Sequence, residues 1–277
     1  MQCNRRIYGS GGKMKKVEGV IFDWAGTTVD FGCFAPVNAF VNIFKNAGID
    51  VTIEEAREPM GLLKIDHIRA MLEMPRISGL WETKYGRAFN EQDVEDLFNA
   101  FESSLLETLA TYTDPKPEVL ETVGSLKSQG LKIGSTSGYT QKMMDVVVPE
   151  AAKKGYSPDF YITPDGTNSL GRPYPYMIYR NMEALKLSAA RNVVKVGDTI
   201  PDFAEANSAG IWAVGVIVGS SEMGLSEAEF DALSEVEQEE IIAKTEQTFK
   251  QHGADFTIKS MGELPGVIEQ INQLILE

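Results

Sequence analysis

The chain has 277 residues, 43% of them hydrophobic and 24% charged, the balance of a folded globular protein rather than a disordered or fibrous one. Lys and Arg number 26 against 40 Asp and Glu, a net charge of −14 that repels phosphate backbones and anionic membranes and argues against nucleic-acid binding. With two cysteines and two histidines, neither a disulfide framework nor a Cys/His zinc site is expected, so carboxylates, lysines, hydroxyls and backbone groups must carry any chemistry.

Residues 1–14, opening MQCNRRIYGSGG and including Cys3, show no periodicity and read as a disordered extension. No apolar run reaches the roughly 18 residues of a membrane span and no charged-then-apolar leader precedes the fold. A cytoplasmic protein without membrane contact is therefore expected. The segment KKVEGVIFD reads as a buried strand ending at Asp23. Residues 35–112 then hold no convincing strand, only helical patterns over 38–46, 53–73 and 91–109, and so read as an all-helical cap domain. Beyond Pro115 and Pro117, apolar runs at 131–137, 159–163, 192–198, 212–219 and 255–259 alternate with helical patterns at 117–129, 141–153, 176–186, 202–209, 227–251 and 262–274. That alternation predicts an α/β core domain, residues 15–34 and 113–277, with a Rossmann-like parallel sheet covered by helices on both faces. Ligands of such sheets sit beyond the carboxyl ends of the strands, where Asp23, Ser137 and Asp198 should meet. A helical insertion above those ends would serve as a lid.

Asp23 precedes Trp24-Ala25-Gly26-Thr27-Thr28, a turn able to present N–H groups to an anion. A carboxylate there can ligate a hard cation or attack phosphorus, although a plain turn cap fits it as well. In Gly197-Asp198-Thr199-Ile200-Pro201-Asp202 either acid alone would be an N-cap; with Asp23 they form an oxygen-rich cluster suited to Mg²⁺. Ser137 and Gly138 offer a hydroxyl and an amide to a phosphate oxygen. Within the cap, Met60, Lys64 and His67 are spaced to share one helical face. Leu62, Leu63 and Ile65 could desolvate the lysine and lower its pKa from about 10.4. A surface lysine laying its stem along the helix fits the same pattern, as a hydrogen-bonded structural histidine fits His67. Cys33 reads equally as a small buried hydrophobe or a pocket contact. His252 and the acidic stretch 226–246 read as solvated surface.

Asp23-x-Ala25-Gly26-Thr27, Ser137, Arg172 and Gly197-Asp198-x-x-x-Asp202 together resemble the nucleophile, hydroxyl, basic and metal motifs of the haloacid dehalogenase superfamily. The strings FDWAGTTVDFGCFAP, REPMGLLKIDHI, STSGYT, GRPYP and GDTIPD resemble, more narrowly, its phosphonatase branch. The resemblance implies hydrolysis of the carbon–phosphorus bond of phosphonoacetaldehyde through a Schiff base on Lys64 and an aspartyl phosphate on Asp23. It further implies that His67 shuttles protons and that Met60, Cys33 and Tyr139 line the pocket. Ser137, Gly138 and Arg172 would bind the phosphonate, and Mg²⁺ would rest on Asp23, the Ala25 carbonyl and Asp198, with Asp202 orienting them. A homodimer through the cap is implied too.

Two features depart from the wider superfamily. Ser137 stands where Thr is more usual, keeping the hydroxyl. Ala25 stands where the superfamily's phosphatases carry an acid that protonates a leaving alcohol. A carbon leaving group needs an electron sink instead, which an iminium supplies. A phosphomonoesterase or phosphomutase would lack its acid here and leave Lys64 without a task. A phosphate-sensing interaction protein would have no use for a cap of this size.

Overall fold

The structure, a computed structural model, describes residues 16–276; the expected extension over residues 1–14 lies outside them. Strand β1 (Gly19–Phe22) is buried along its whole length. It leads to five helices, α1 (Phe34–Asn46), α2 (Ile53–Arg57), α3 (Lys64–Glu73), α4 (Pro75–Tyr85) and α5 (Glu91–Thr108), closed by a 3-10 turn at Leu109–Tyr112. Then follow α6 (Val119–Ser128), β2 (Lys132–Thr136), α7 (Gln141–Lys153), β3 (Phe160–Ile162), α8 (Tyr176–Leu185), β4 (Val193–Gly197) and α9 (Ile200–Ala209). The chain ends through β5 (Trp212–Val216), α10 (Glu227–Asp231), α11 (Glu235–Gln251), β6 (Phe256–Ile258) and α12 (Leu264–Leu276).

The described strands form one parallel sheet in the order β3-β2-β1-β4-β5-β6. Alternation along β1 divides the core. Val20 and Phe22 join an apolar cluster with α6, α7 and α12 through residues such as Val123, Met144 and Ile268, while Ile21 joins a second with Ile178, Phe203 and Phe249 of α8, α9 and α11. Helices thus cover both faces, the arrangement a parallel sheet of apolar strands requires. The first cluster continues into the helical insertion, where Phe40 of α1 stacks on Phe101 of α5 at 4.2 Å. Burying a phenylalanine this completely contributes roughly 1.5–3 kcal/mol.

Asp30 starts α1: its carboxylate accepts hydrogen bonds from the amides of Phe34 and Ala35, each 3.0 Å. That places a negative charge at the positive end of the helix. The connections leaving and rejoining the sheet lie side by side, with Val29 bridging Pro115 and the Lys116 amide donating to the Thr28 carbonyl at 2.9 Å.

Several expected helices are corrected by local chemistry. The pattern over 53–73 breaks into α2 and α3 across 58–63, where Pro59 interrupts and Gly61 takes φ 91°. Met60 therefore precedes the helix that carries Lys64 and His67 and does not share its face. Helix α4, absent from the expected elements, begins at Pro75, a residue preorganised for the first helical position. The pattern over 227–251 divides at Ser234, which opens a second capping box with Glu237. Among the described residues no helix is long and apolar enough to cross a membrane.

Candidate active site

Because β1 lies between β2 and β4, with Phe22 in register with Ser135 and Val196, the residues just past these three strands converge. Asp23 is the first residue beyond β1, and its amide donates to the Val196 carbonyl at 2.9 Å. The loop after it is tied by the Trp24 carbonyl, which accepts from the amides of Thr27, Thr28 and Val29. Gly26 turns this loop at φ 83°, and a Cβ there would lie 2.1 Å from Asp198 Oδ2. Only glycine allows that approach. Asp198 in turn accepts from Thr27 Oγ1 at 2.6 Å and from the Ser221 amide at 2.8 Å.

Arg172 brings the parts together. Its Nη2 donates to Asp23 Oδ1 at 2.7 Å and to Thr136 Oγ1 at 3.2 Å, its Nε donates to Glu205 Oε2 at 3.2 Å, and it pairs with Asp202 at 3.1 Å. Burial opposes this charge, but Asp202, Asp23 and Glu205 outweigh it and hold the guanidinium well above its ordinary range. Among the described residues no hydrogen bond reaches the other oxygen of Asp23, which remains available as a ligand or nucleophile.

Asp23, Ala25, Cys33, Met60, Lys64, Ser137, Gly138, Tyr139 and Arg172 all line one cavity, joined by Gly61 and Thr199. Its volume of about 20 Å³ is the space of roughly one water molecule. Lys64 is buried, 3.8 Å from Met60 Sδ and 5.4 Å from the centre of the Tyr139 ring. Burial pushes its amine below the ordinary lysine range; Asp23 and Asp198 pull the other way and Arg172 reinforces the fall. Among the described residues the Tyr139 hydroxyl is buried without a partner, while Ser137 Oγ accepts from the Tyr139 amide at 3.1 Å and keeps its own proton to donate. A larger cavity of about 410 Å³ adjoins at Met60 and Thr199, but neither Asp23 nor Lys64 lines it.

His67 does not line the site cavity. Its ring stacks on Phe40 at 3.8 Å, and Nε2 lies 3.0 Å from the Ala56 carbonyl. A carbonyl only accepts, so Nε2 carries the proton and Nδ1, which has no partner among the described residues, is the basic nitrogen. Burial, and then the charge of Lys64, push its pKa well below the ordinary histidine range.

Asp23, Asp198 and Asp202 are buried with one oxygen of each within 4.8 Å of the others. Asp202 is already engaged, accepting from Thr199 Oγ1 at 2.6 Å and pairing with Lys195 at 3.0 Å as well as with Arg172. Among the described residues the buried acids around the nucleophile, Asp23, Asp30, Asp198, Asp202 and Glu205, outnumber the buried cations Lys64, Lys116, Arg172 and Lys195 by one. Asp198 registers that surplus: burial first, then Asp23 and Asp202, raise its pKa to about 7. Hard oxygen donors with excess negative charge fit a divalent cation.

Sequence reasoning passed over Lys195, Glu205 and Lys116. Lys195 is the one charged side chain in the otherwise apolar β4 run, a visible signal, and Glu205 follows Asp202 by one helical turn. Lys116 Nζ donates to the carbonyls of Gly26 at 2.5 Å and Val218 at 2.8 Å, and burial lowers its pKa to about 8. No local pattern foretold that reach.

The cap loop meets the sheet at Gly61, where a Cβ would lie 2.3 Å from Thr199 Oγ1. Gly61→Ala, strained by its positive φ and by this overlap, is expected to lower the unfolding free energy by about 1–3 kcal/mol. Urea denaturation measures it; an unchanged midpoint would show that the loop yields freely.

A family model for haloacid dehalogenase-like hydrolases matches residues 17–210. The chain is 59% identical to a phosphonoacetaldehyde hydrolase of Lysinibacillus sphaericus, over 93% of this chain and 96% of that protein. It is 50% identical to a phosphonoacetaldehyde hydrolase of Bacillus cereus, over 93% of this chain and 97% of the relative. The crystal structure of a phosphonoacetaldehyde hydrolase-like protein from Oleispira antarctica superposes with a TM-score of 0.92 at 36% identity, covering 98% of each chain.

Proposed function

The chain belongs to the haloacid dehalogenase-like hydrolases, among the phosphonoacetaldehyde hydrolases, and from that premise we propose that it cleaves its substrate through Lys64 and Asp23 acting in sequence. The observation that carries this reading is that Lys64 and Asp23 line one cavity in which the position two residues after the nucleophile is Ala25.

In this mechanism the free amine of Lys64 adds to the aldehyde carbon, and the resulting hydroxyl takes up a proton and leaves as water, giving an iminium. Asp23 then attacks phosphorus; the carbon–phosphorus bond breaks and its electron pair flows into the iminium, leaving an enamine on Lys64 and an aspartyl phosphate on Asp23. Protonation at carbon and addition of water release acetaldehyde and restore Lys64. Water attack on the aspartyl phosphate releases phosphate. Arg172 receives the phosphonate oxygens by its fork, assisted by Ser137 and the Gly138 amide. Tyr139, whose hydroxyl has no partner among the described residues, is suited to the oxygen expelled from the aldehyde. Met60 and Cys33 exclude water beside the amine, and His67 relays protons one helical turn away.

The cation is Mg²⁺, held by Asp23, the Ala25 carbonyl and Asp198; when bound it screens the nucleophile from the charge of the phosphonate. Asp202 keeps the positioning role its ties to Thr199, Lys195 and Arg172 suit it for. In this reading residues 35–112 are the cap domain over a core of residues 15–34 and 113–277, of which 16–34 and 113–276 lie within the described residues. A 20 Å³ cavity is too small for the substrate, so entry requires the cap to move. The reading carries with it a cytoplasmic homodimer formed through the cap.

Incubation with phosphonoacetaldehyde is expected to yield acetaldehyde and phosphate in equal amounts. Dialysis against EDTA should reduce that turnover by roughly 100-fold or more, and added Mg²⁺ should restore it. Undiminished turnover in the metal-free protein would remove the cation from the mechanism, and failure to release acetaldehyde would defeat the functional reading.

A further inference from the structure

Arg172 must present one edge of its guanidinium to the phosphonate, and the structure shows what holds the remainder. Nε is bound to Glu205 Oε2 at 3.2 Å, and Nη2 to Asp23, to Thr136 and, at 3.1 Å, to Asp202. Among the described residues Nη1 has only the Gly61 carbonyl, at the long distance of 3.5 Å. Because the guanidinium is planar, a fixed Nε direction fixes the direction of the Nη1 edge.

Glu205 is itself anchored. Thr136 Oγ1 donates to Glu205 Oε2 at 3.1 Å, and Lys195 Nζ lies 3.5 Å from the same oxygen. That ammonium also donates to Thr136 Oγ1 at 2.7 Å and pairs with Asp202 at 3.0 Å. Lys195 and Glu205 are wholly buried, and neither lines the cavity. Burial raises the pKa of Glu205, while Lys195 and Arg172 act to keep it ionised. An ion pair in such a place is weak evidence for stability, since well-packed apolar side chains commonly serve as well or better. What apolar side chains could not do is orient a guanidinium.

We propose that Glu205 and Lys195 are a positioning pair: Glu205 grips the Nε edge of Arg172, Lys195 holds Glu205, and together they aim the Nη1 edge at the phosphonate without touching it. This rests on the reading that Arg172 receives the phosphonate. The pair sets affinity for the tetrahedral anion, both substrate and product phosphate, more than the rate of the covalent steps.

The test is a double-mutant cycle between Glu205→Gln and Arg172→Lys, measuring kcat and KM for phosphonoacetaldehyde and inhibition by inorganic phosphate. Glu205→Gln is expected to raise KM and the phosphate inhibition constant by roughly 10-fold or more, as loss of a charge-assisted hydrogen bond implies, with a smaller change in kcat. In the Arg172→Lys background, where no Nε remains to be gripped, the same substitution should add less than about twofold. Equal effects in both backgrounds, or an unchanged KM and phosphate inhibition constant in Glu205→Gln, would overturn the positioning role. If Arg172→Lys alone leaves phosphonate and phosphate binding intact, the prior reading of Arg172 fails and the proposal with it. Should Glu205→Gln not fold, Lys195→Met combined with Glu205→Met removes both ions together; the same rise in KM is expected, and an unaltered KM overturns the proposal.

Discussion

Lys64→Arg is expected to reduce phosphonoacetaldehyde turnover by roughly 10⁴-fold or more, the scale on which loss of a covalent catalyst registers in other hydrolases. Arginine keeps a positive charge near the Lys64 position, beside Met60, Tyr139 and Phe40, but its guanidinium stays protonated and cannot add to an aldehyde. Reduction of the protein with borohydride during turnover should place a covalent adduct on Lys64 in the native chain and none in the variant. Retained activity in Lys64→Arg, or an adduct mapped elsewhere, would sink the Schiff-base step. Binding of inorganic phosphate, which does not use the amine, should survive the substitution.

The environment of Lys64 also fixes the direction of its pH dependence. Imine formation needs the neutral amine, so the rate of adduct formation should rise with pH and level off once the folded-state pKa is passed. Burial lowers that value from 10.5, so the plateau should arrive at lower pH than for an exposed lysine. The same depression costs stability. Below 10.5 the unfolded chain binds more protons at this position than the folded one, so the cost is fully present below the folded-state pKa and is relieved as pH rises towards 10.5. Lys64→Met should therefore raise the melting temperature near neutral pH, by roughly 2–4 °C for each kcal/mol recovered, while abolishing activity.

The sheet was legible because parallel strands buried on both faces leave apolar runs, and Asp23, Ser137 and Asp198 could be placed together because each follows such a run at a strand's carboxyl end; the strand order that makes them neighbours was not legible. The cap was legible as a block without strands. Its internal breaks were less so, because the helical spacing runs on through Pro59 and Gly61, and the close approach of Gly61 to Thr199, far away in sequence, leaves no trace in that spacing. Met60 nevertheless reaches Lys64, by a turn rather than along a helix face. The partners of Lys116 and Glu205 were illegible for a related reason. Each earns its place through contacts with chain segments distant in sequence, Lys116 with Gly26 and Val218, Glu205 with Thr136 and Arg172. Spacing records neighbours along a helix or strand, not partners across a fold.

Asp23→Asn tests the other half of the mechanism, and its most informative product is not the lost activity alone. Asparagine matches the aspartate in size, but it is a poor nucleophile towards phosphorus and carries no charge for Arg172 to hold at the 2.7 Å now seen. Release of acetaldehyde and phosphate is expected to fall by roughly 10⁴- to 10⁶-fold. Lys64 remains, and removing the negative charge of Asp23 takes away one of the groups that hold its amine protonated, so imine formation should continue. Borohydride should then trap on Lys64 an adduct that still carries phosphorus, whereas the native enzyme in turnover should also give the ethyl adduct left after the carbon–phosphorus bond has broken. That difference orders the steps: the amine acts before the carboxylate, and the bond to phosphorus breaks only when both are present. An ethyl adduct in Asp23→Asn, or acetaldehyde release near the native rate, would show that carbon–phosphorus cleavage does not depend on Asp23.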